Sequence, residues 1–275
     1  GLTFPVITII NGFANLFGVG GSSLCSISRG SCDIEGARSL MQVSYSMLIA
    51  TGIALTLICL SAMKPLLYAF GASDATYPFA SGYLYIYSLG TVFVMAGLGM
   101  NSFISSQGFG KTAMLTVLSG AVANIVLDPI FIFLLGMGVQ GAAVATVISQ
   151  VLSAFLVLSF LSGKRPILRL ELKRLKFDPA IIKRVFLMGL SSFVMSVTTS
   201  AVQVVSNSQL LFYGGDIYVG IMTVVNSARE ILILPLNGLT SGAPPVLGYN
   251  YGAKKYSRLK EGIKFVTVIS VVYSL

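Results

Sequence analysis

Residues 39–63 read SLMQVSYSMLIATGIALTLICLSAM, with no Asp, Glu, Lys or Arg among them. A bilayer hydrocarbon core of about 30 Å takes roughly 20 apolar residues of α-helix to cross. This stretch is long enough for one crossing. Only helices and closed barrels satisfy their backbone hydrogen bonds inside lipid. Apolar residues run on continuously here instead of alternating, which excludes a barrel strand.

The same pattern extends in both directions. Further uncharged runs occupy 1–28, 75–110, 112–127, 129–163, 185–215 and 231–253. They predict helices near 1–28, 40–63, 78–107, 112–136, 139–163, 185–213 and 217–250, with an eighth beginning near 262. The chain is 55% hydrophobic and only 10% charged, whereas a soluble domain carries about 25% charged residues. Most of its surface must therefore face lipid. The fold class is an all-α membrane protein, a polytopic transmembrane helix bundle. The first run lacks a basic flank and is not a signal peptide.

A net charge of +9 invites a nucleic-acid reading, but the distribution of that charge opposes it. All of the 18 Lys and Arg except Lys64 and Arg229 fall in alternate loops: Arg29 and Arg38, then Lys111, then Lys164 to Arg184, then Lys254 to Lys264. Excess positive charge marks the cytoplasmic side. The loops at 29–39, 108–111, 164–184 and 251–264 are thus expected inside, in a multi-pass plasma-membrane protein with no nucleic-acid partner. Cys25, Cys32 and Cys59 show no metal-ligand spacing and there is no His. They read as small hydrophobes in a reducing compartment.

An internal repeat sets the organisation. Asn15, Gly20 and Gly30 recur as Asn237, Gly242 and Gly252 at a constant offset of 222 positions. In both places an apolar helix ends and a basic cytoplasmic helix start follows. The seventh predicted helix then repeats the first. Six helices per unit keep both copies in one orientation, related by an axis along the membrane normal. By that register the counterpart of 185–213 lies before Gly1, and counterparts of the third to fifth helices lie beyond Leu275. The chain reads as an internal piece of a 12-helix protein of roughly 450 residues. Residues 1–163 are a first lobe without its first helix, 164–179 a cytoplasmic linker, and 180–275 the start of a second lobe.

Several motifs carry a family resemblance. Gly1-Leu-Thr-Phe-Pro5, Phe17-Gly-Val-Gly-Gly21, Asp128-Pro129, Gly141-Ala-Ala-Val-Ala-Thr146 and above all Gly248-Tyr-Asn-Tyr-Gly-Ala253 resemble the MATE family of multidrug and toxic compound extrusion transporters. The resemblance covers the whole chain. It implies a two-lobed, 12-helix antiporter that expels organic, often cationic, compounds against inward Na⁺ or H⁺ flow. Pro244 departs from the pattern, since Gln is expected before Pro245.

Ionisable groups inside a bilayer are costly and tend to face a cavity. Within the predicted helices they are Asp128, Arg229 and Glu230. Asp128 and Thr146 lie at matching depths, about 10–12 Å below the outer ends of their helices at 1.5 Å per residue. Asn124 sits one turn from Asp128 on the same face, and Pro129 removes a backbone hydrogen bond beside them. Carboxylate, amide and hydroxyl oxygens suit Na⁺, and a desolvated carboxylate suits H⁺. In the DinF-like branch the resemblance implies coupling through a first-lobe acid pair with Asn and Thr beside it. Asn124, Asp128 and Thr146 match three of those positions, and the partner acid falls on the helix expected before Gly1. A second-lobe coupling acid of the NorM-like type belongs on 185–213, which contains no acid.

Tyr87, Asn101, Arg229 and Glu230 are further candidates for a substrate cavity, where aromatic faces attract cations. Tyr83, nearer the outer end of the same helix as Tyr87, reads as an interfacial anchor. No cofactor is expected beyond Na⁺ or H⁺ as coupling ion. The expected partners are small organic cations or drugs and membrane lipids, with the protein acting as a monomer. The competing reading is a lipid-linked precursor flippase of the same superfamily, which favours basic residues in the cavity; only Arg229 is available. An enzyme is excluded by the lack of His, metal clusters and paired acids.

Overall fold

The computed structural model describes residues 3–70, 72, 74 and 76–274, with side chains at all of these except 216, 219 and 223. Among the described residues the regular structure is helical: α1 (Phe4–Gly30), α2 (Ile34–Ser61), α3 (Met63–Ala69), α4 (Tyr77–Ser106), α5 (Gly110–Pro129), a π-helical turn (Ile130–Leu134), α6 (Gly138–Ser162), α7 (Pro179–Gly252) and α8 (Tyr256–Ser274). Seven segments are long and apolar enough to cross a membrane, the two limbs of α7 counting separately as Pro179–Gly215 and Gly220–Gly252.

Local chemistry sets the boundaries. Cys32 takes a left-handed conformation (φ 64°) in the turn after α1. It is exposed there, whereas Cys25 and Cys59 are buried. Asp33 then caps α2 by accepting the Gly36 N–H at 2.8 Å, satisfying an orphan donor of the first turn. That cap starts α2 at Ile34, well before the predicted 40. Lys64 ends the uncharged run, but the chain stays helical as the short α3, which hydropathy does not reveal. Asp178 caps α7 by accepting from the N–H groups of Ala180 and Ile181. Gly215 (φ 65°, ψ −166°) breaks α7 into a helical hairpin, so the predicted helices at 185–213 and 217–250 are its two limbs.

Helix α1 is the hub, packing on α2, α4 and both limbs of α7. Small residues make this possible. A Cβ on Gly18 would meet the Gly99 backbone at 2.6 Å, and one on Gly20 would meet the Val185 carbonyl at 2.5 Å. Around them lies a core that includes the fully buried Leu48, Met95, Met100 and Phe103. Outward faces are apolar as well: on α5, Leu115, Leu118, Val122, Ile125 and Val126 are all exposed, Ile125 by 70%. A continuous apolar exterior of this kind belongs in lipid, not water.

Residues 163–178 join α6 to α7 without a helix, as the predicted linker requires. Leu168 and Leu170 are buried beneath the first six helices and fasten the segment to them.

Candidate functional site

Helices α4, α5 and α6 bring a column of polar side chains together. On α5, Thr116, Gly120, Asn124 and Asp128 recur every fourth position and share one face. Gly120 lets that face close on α6, since a Cβ there would lie 3.2 Å from Ser153 and 3.3 Å from the Ser149 carbonyl. Ser153 donates across the same seam to the Thr116 carbonyl at 3.2 Å.

At the outer end of the column, Asn124 Nδ2 donates to Asp128 Oδ1 at 3.2 Å. Thr146 of α6 donates its hydroxyl to its own Ala142 carbonyl at 2.8 Å, which leaves the hydroxyl oxygen free to accept or to ligate. Tyr83 of α4 hydrogen-bonds Thr146 and lies within Coulombic reach of Asp128. Three helices thus contribute a carboxylate, an amide, a hydroxyl and a phenol to one half-buried cluster. Among the described residues no Lys or Arg forms an ion pair with Asp128. Its charge is therefore open to compensation by a mobile cation.

The backbone beside Asp128 is also unusual. Pro129 has no N–H, and the chain continues as a π turn closed by Leu135 N–H to the Ile130 carbonyl at 2.9 Å. Met137 donates to the Phe131 carbonyl at 3.1 Å, and a Cβ on Gly141 would lie 2.6 Å from the same oxygen. Glycine at 141 lets α6 start directly against this turn, which fixes Thr146 relative to Asp128.

Tyr83 is the residue that sequence reasoning misplaced. It does not anchor at the interface. It bridges the cluster to a cavity of about 820 Å³, lined also by Phe4, Ile7, Phe79, Ile132 and Ala142. Its spacing of four from Tyr87 was the available signal, for the two rings stack with centroids 6.1 Å apart. Tyr87 itself is buried behind Tyr83, only 4% exposed. Asn101 lies lower in the column, accepting from Thr116 Oγ1 at 3.1 Å. Arg229 and Glu230 are not brought to this cluster; both are exposed on the second limb of α7.

A protein-family model, MatE, matches residues 1–130 and 191–275. The chain belongs to the MatE family. It is 31% identical over 277 aligned residues to the multidrug export protein MepA of Staphylococcus haemolyticus, covering all of this chain and 60% of that protein. A solved MATE multidrug transporter, DinF-BH in complex with a cationic dye, superposes with a TM-score of 0.93 at 35% identity, over 99% of this chain and 61% of its own. A multidrug resistance MATE family transporter in an outward-facing conformation gives a TM-score of 0.90 at 29% identity; one in an inward-facing conformation gives 0.82 at the same identity. The chain spans about three fifths of the length of each relative it matches. This MatE chain is accordingly an all-helical, multi-pass membrane protein.

Proposed function

We propose that the protein to which this MatE chain belongs is a secondary antiporter, exporting organic cations or drugs in exchange for inward Na⁺ or H⁺ at Asp128. The observation that carries this reading is the unpaired Asp128 carboxylate, hydrogen-bonded to Asn124 and grouped with Thr146 and Tyr83 beside an aromatic-walled cavity. Export of drugs by MepA proteins and the complex of DinF-BH with a cationic dye support the substrate class.

The coupling logic is thermodynamic. A ligand shifts an alternating-access equilibrium only through its different affinity for the two states. A carboxylate whose charge is compensated by a cation in one state and exposed in the other supplies that difference. Asn124, Thr146 and Tyr83 offer further oxygens for Na⁺, while the same low-dielectric setting suits a proton on Asp128. In the two-lobe division at 164–179, this ion site lies wholly in the first lobe, its partner acid on the helix expected before Gly1. The flippase reading loses support because Arg229, its one basic candidate, is exposed away from the cavity. Transport, not catalysis, is the proposed activity, by a monomer with no cofactor.

Asp128→Asn in the full-length parent tests this. Gradient-driven dye efflux, normalised to inserted protein, is expected to be abolished; Thr146→Ala weakens it less, and Glu230→Gln leaves it intact. Separate Na⁺ and H⁺ gradients identify the ion. Normal gradient dependence in Asp128→Asn, with its loss in Glu230→Gln, places the ion in the other lobe.

A further inference from the structure

The segment joining α6 to α7 is held like a strand without a sheet. Gln42 of α2 uses its whole side-chain amide on it: Oε1 accepts the Glu171 N–H at 3.1 Å, and Nε2 donates to the Glu171 carbonyl at 2.8 Å and to the Arg174 carbonyl. Gln107 Oε1 accepts the Leu168 N–H at 2.7 Å, and Ser46 Oγ accepts the Lys176 N–H at 2.8 Å. With the backbone turned inward in this way, the outward side is fixed as well. It presents Ile167, Leu172, Leu175 and Phe177, exposed by 50%, 39%, 52% and 55%. Between them Lys164, Arg165, Arg169, Lys173 and Arg174 are also exposed.

The depth of this surface follows from its anchors. Arg38 is the last charge before the uncharged run of α2. Ser46 lies eight residues further on, about 12 Å along the axis at 1.5 Å per residue. The segment therefore climbs beside the first turns of the membrane-crossing part of α2. Leu172, Leu175 and Phe177 stand where headgroups give way to acyl chains, with cations interleaved. Water leaves those apolar side chains unsatisfied, hydrocarbon rejects the cations, and the lipid interface accommodates both. Its charge selects the lipid. Within 164–178 the acids are Glu171 and Asp178, against Lys164, Arg165, Arg169, Lys173, Arg174 and Lys176. The Asp178 carboxylate is already used in capping α7, and Glu171 meets Arg174 only loosely at 3.7 Å.

We propose that residues 164–177 are a docking strap for anionic phospholipid headgroups of the cytoplasmic leaflet, with Leu172, Leu175 and Phe177 set into the acyl boundary. The proposal needs the membrane topology but not the coupling site, so each stands or falls separately.

The chain contains no Trp, which makes Leu175→Trp a reporter once any Trp elsewhere in the parent is replaced by Phe. The full-length protein is placed in phosphatidylcholine nanodiscs containing brominated phosphatidylglycerol, or brominated phosphatidylcholine at equal mole fraction. Brominated phosphatidylglycerol is expected to quench the reporter more strongly. Adding Arg165→Gln, Arg169→Gln, Lys173→Gln and Arg174→Gln is expected to remove the difference, by up to about fivefold for each cation, with helicity and insertion retained. Equal quenching by both lipids overturns the proposal. So does a preference that survives neutralisation. Absence of quenching by either lipid also overturns it, by placing the segment in water or under other parts of the parent protein.

Discussion

Gly30 of α1 lies against the carbonyl of Tyr249, and Gly252 of α7 lies against the carbonyl of Ile27. Each glycine meets the residue three positions before the other, and the two contacts are related by the same 222-residue offset as the sequence repeat. Ser26 and Gly248, again equivalent by that offset, face each other between them. The C-terminal ends of α1 and of the second α7 limb therefore cross as a reciprocal pair, running in the same direction. Arg29 adds a cation–π contact over the Tyr249 ring at 5.9 Å. By the distribution of Lys and Arg this crossing is cytoplasmic. A closed cytoplasmic side agrees with the better match to an outward-facing than to an inward-facing relative.

Cross-linking tests the crossing directly. A Cβ on Gly248 would stand 3.1 Å from Ser26 Cβ, close to the roughly 3.8 Å that a disulfide spans. Ser26→Cys with Gly248→Cys, in a background without Cys25, Cys32 and Cys59, is expected to oxidise readily in membranes. If the crossing opens during transport, the oxidised protein stops exporting dye and reductant restores it. Full activity in the cross-linked protein would show that this contact never parts.

Gly30→Ala and Gly242→Ala separate close packing from mere helix propensity. A Cβ at 30 runs into the Tyr249 carbonyl, whereas nothing lies within 4 Å of one at 242. Gly30→Ala is expected to disfavour the closed cytoplasmic side by about 1–3 kcal/mol, as overpacking does. The measurement is the yield of the Ser26–Gly248 cross-link, which Gly242→Ala leaves unchanged. Gly20, the repeat partner of Gly242, does have neighbours, Val185 and Gly189. The offset places the corresponding neighbour of Gly242 upstream of Gly1.

The membrane-crossing helices were legible because lipid imposes one rule on every exposed backbone and side chain, and 39–63 obeys it without exception. Asn124 and Asp128 were legible as a pair because four residues make nearly one helical turn. What hydropathy left unread was decided by tertiary contact. Tyr83 belongs to the site only because α6 sets Thr146 opposite it, which no spacing within α4 reveals. Gln42 and the 171–174 backbone meet across a long stretch of chain, through an amide that looks like any polar residue near a helix start. Arg229 and Glu230 drew attention as charges in an apolar run, yet the helices that the repeat predicts around them lie beyond Leu275.

Gln42→Leu tests how the linker is held. The substitution keeps the bulk near a position only 5% exposed but removes the bonding partners of Glu171 and Arg174. Unpaired backbone groups of this kind cost about 1–3 kcal/mol. Limited trypsin digestion of inside-out membranes is expected to cut after Lys173 and Arg174 several-fold faster than in the parent. An unchanged cleavage rate would mean that the buried Leu168 and Leu170 suffice.

On the outer side, Tyr68 donates its phenol to Asp74 Oδ1 at 2.6 Å. That bond, followed by burial and the Asp74 charge, holds the phenol above its ordinary value. The protonated form is the one the fold favours. Its contribution is therefore fully present below the free phenol value of about 10 and is lost as pH rises through the raised folded value. The tyrosinate absorbance that Tyr68→Phe removes should titrate later than a free phenol, and Asp74→Asn should bring it back down. Identical titration in the presence and absence of Asp74 would dismiss the bond.

Tyr83 separates ion coupling from drug recognition, because its ring and its hydroxyl serve different neighbours. The hydroxyl reaches Thr146 beside Asp128, while the ring stacks on Tyr87 and walls the outer cavity. Tyr83→Phe removes one neutral hydrogen bond, worth about 0.5–1.5 kcal/mol, and keeps the wall. Efflux is expected to need a steeper Na⁺ or H⁺ gradient, up to roughly tenfold in ion concentration, with dye affinity near that of the parent. Tyr83→Leu removes the aromatic face as well, and a cation over such a face gains about 0.5–2 kcal/mol. Its dye affinity is expected to fall in addition to the change in ion dependence. Dye binding by fluorescence anisotropy and efflux under graded ion gradients read the two effects separately. Loss of dye affinity in Tyr83→Phe with an unaltered ion dependence would reverse the assignment, making the hydroxyl part of the drug site and leaving Asp128, Asn124 and Thr146 to hold the ion alone.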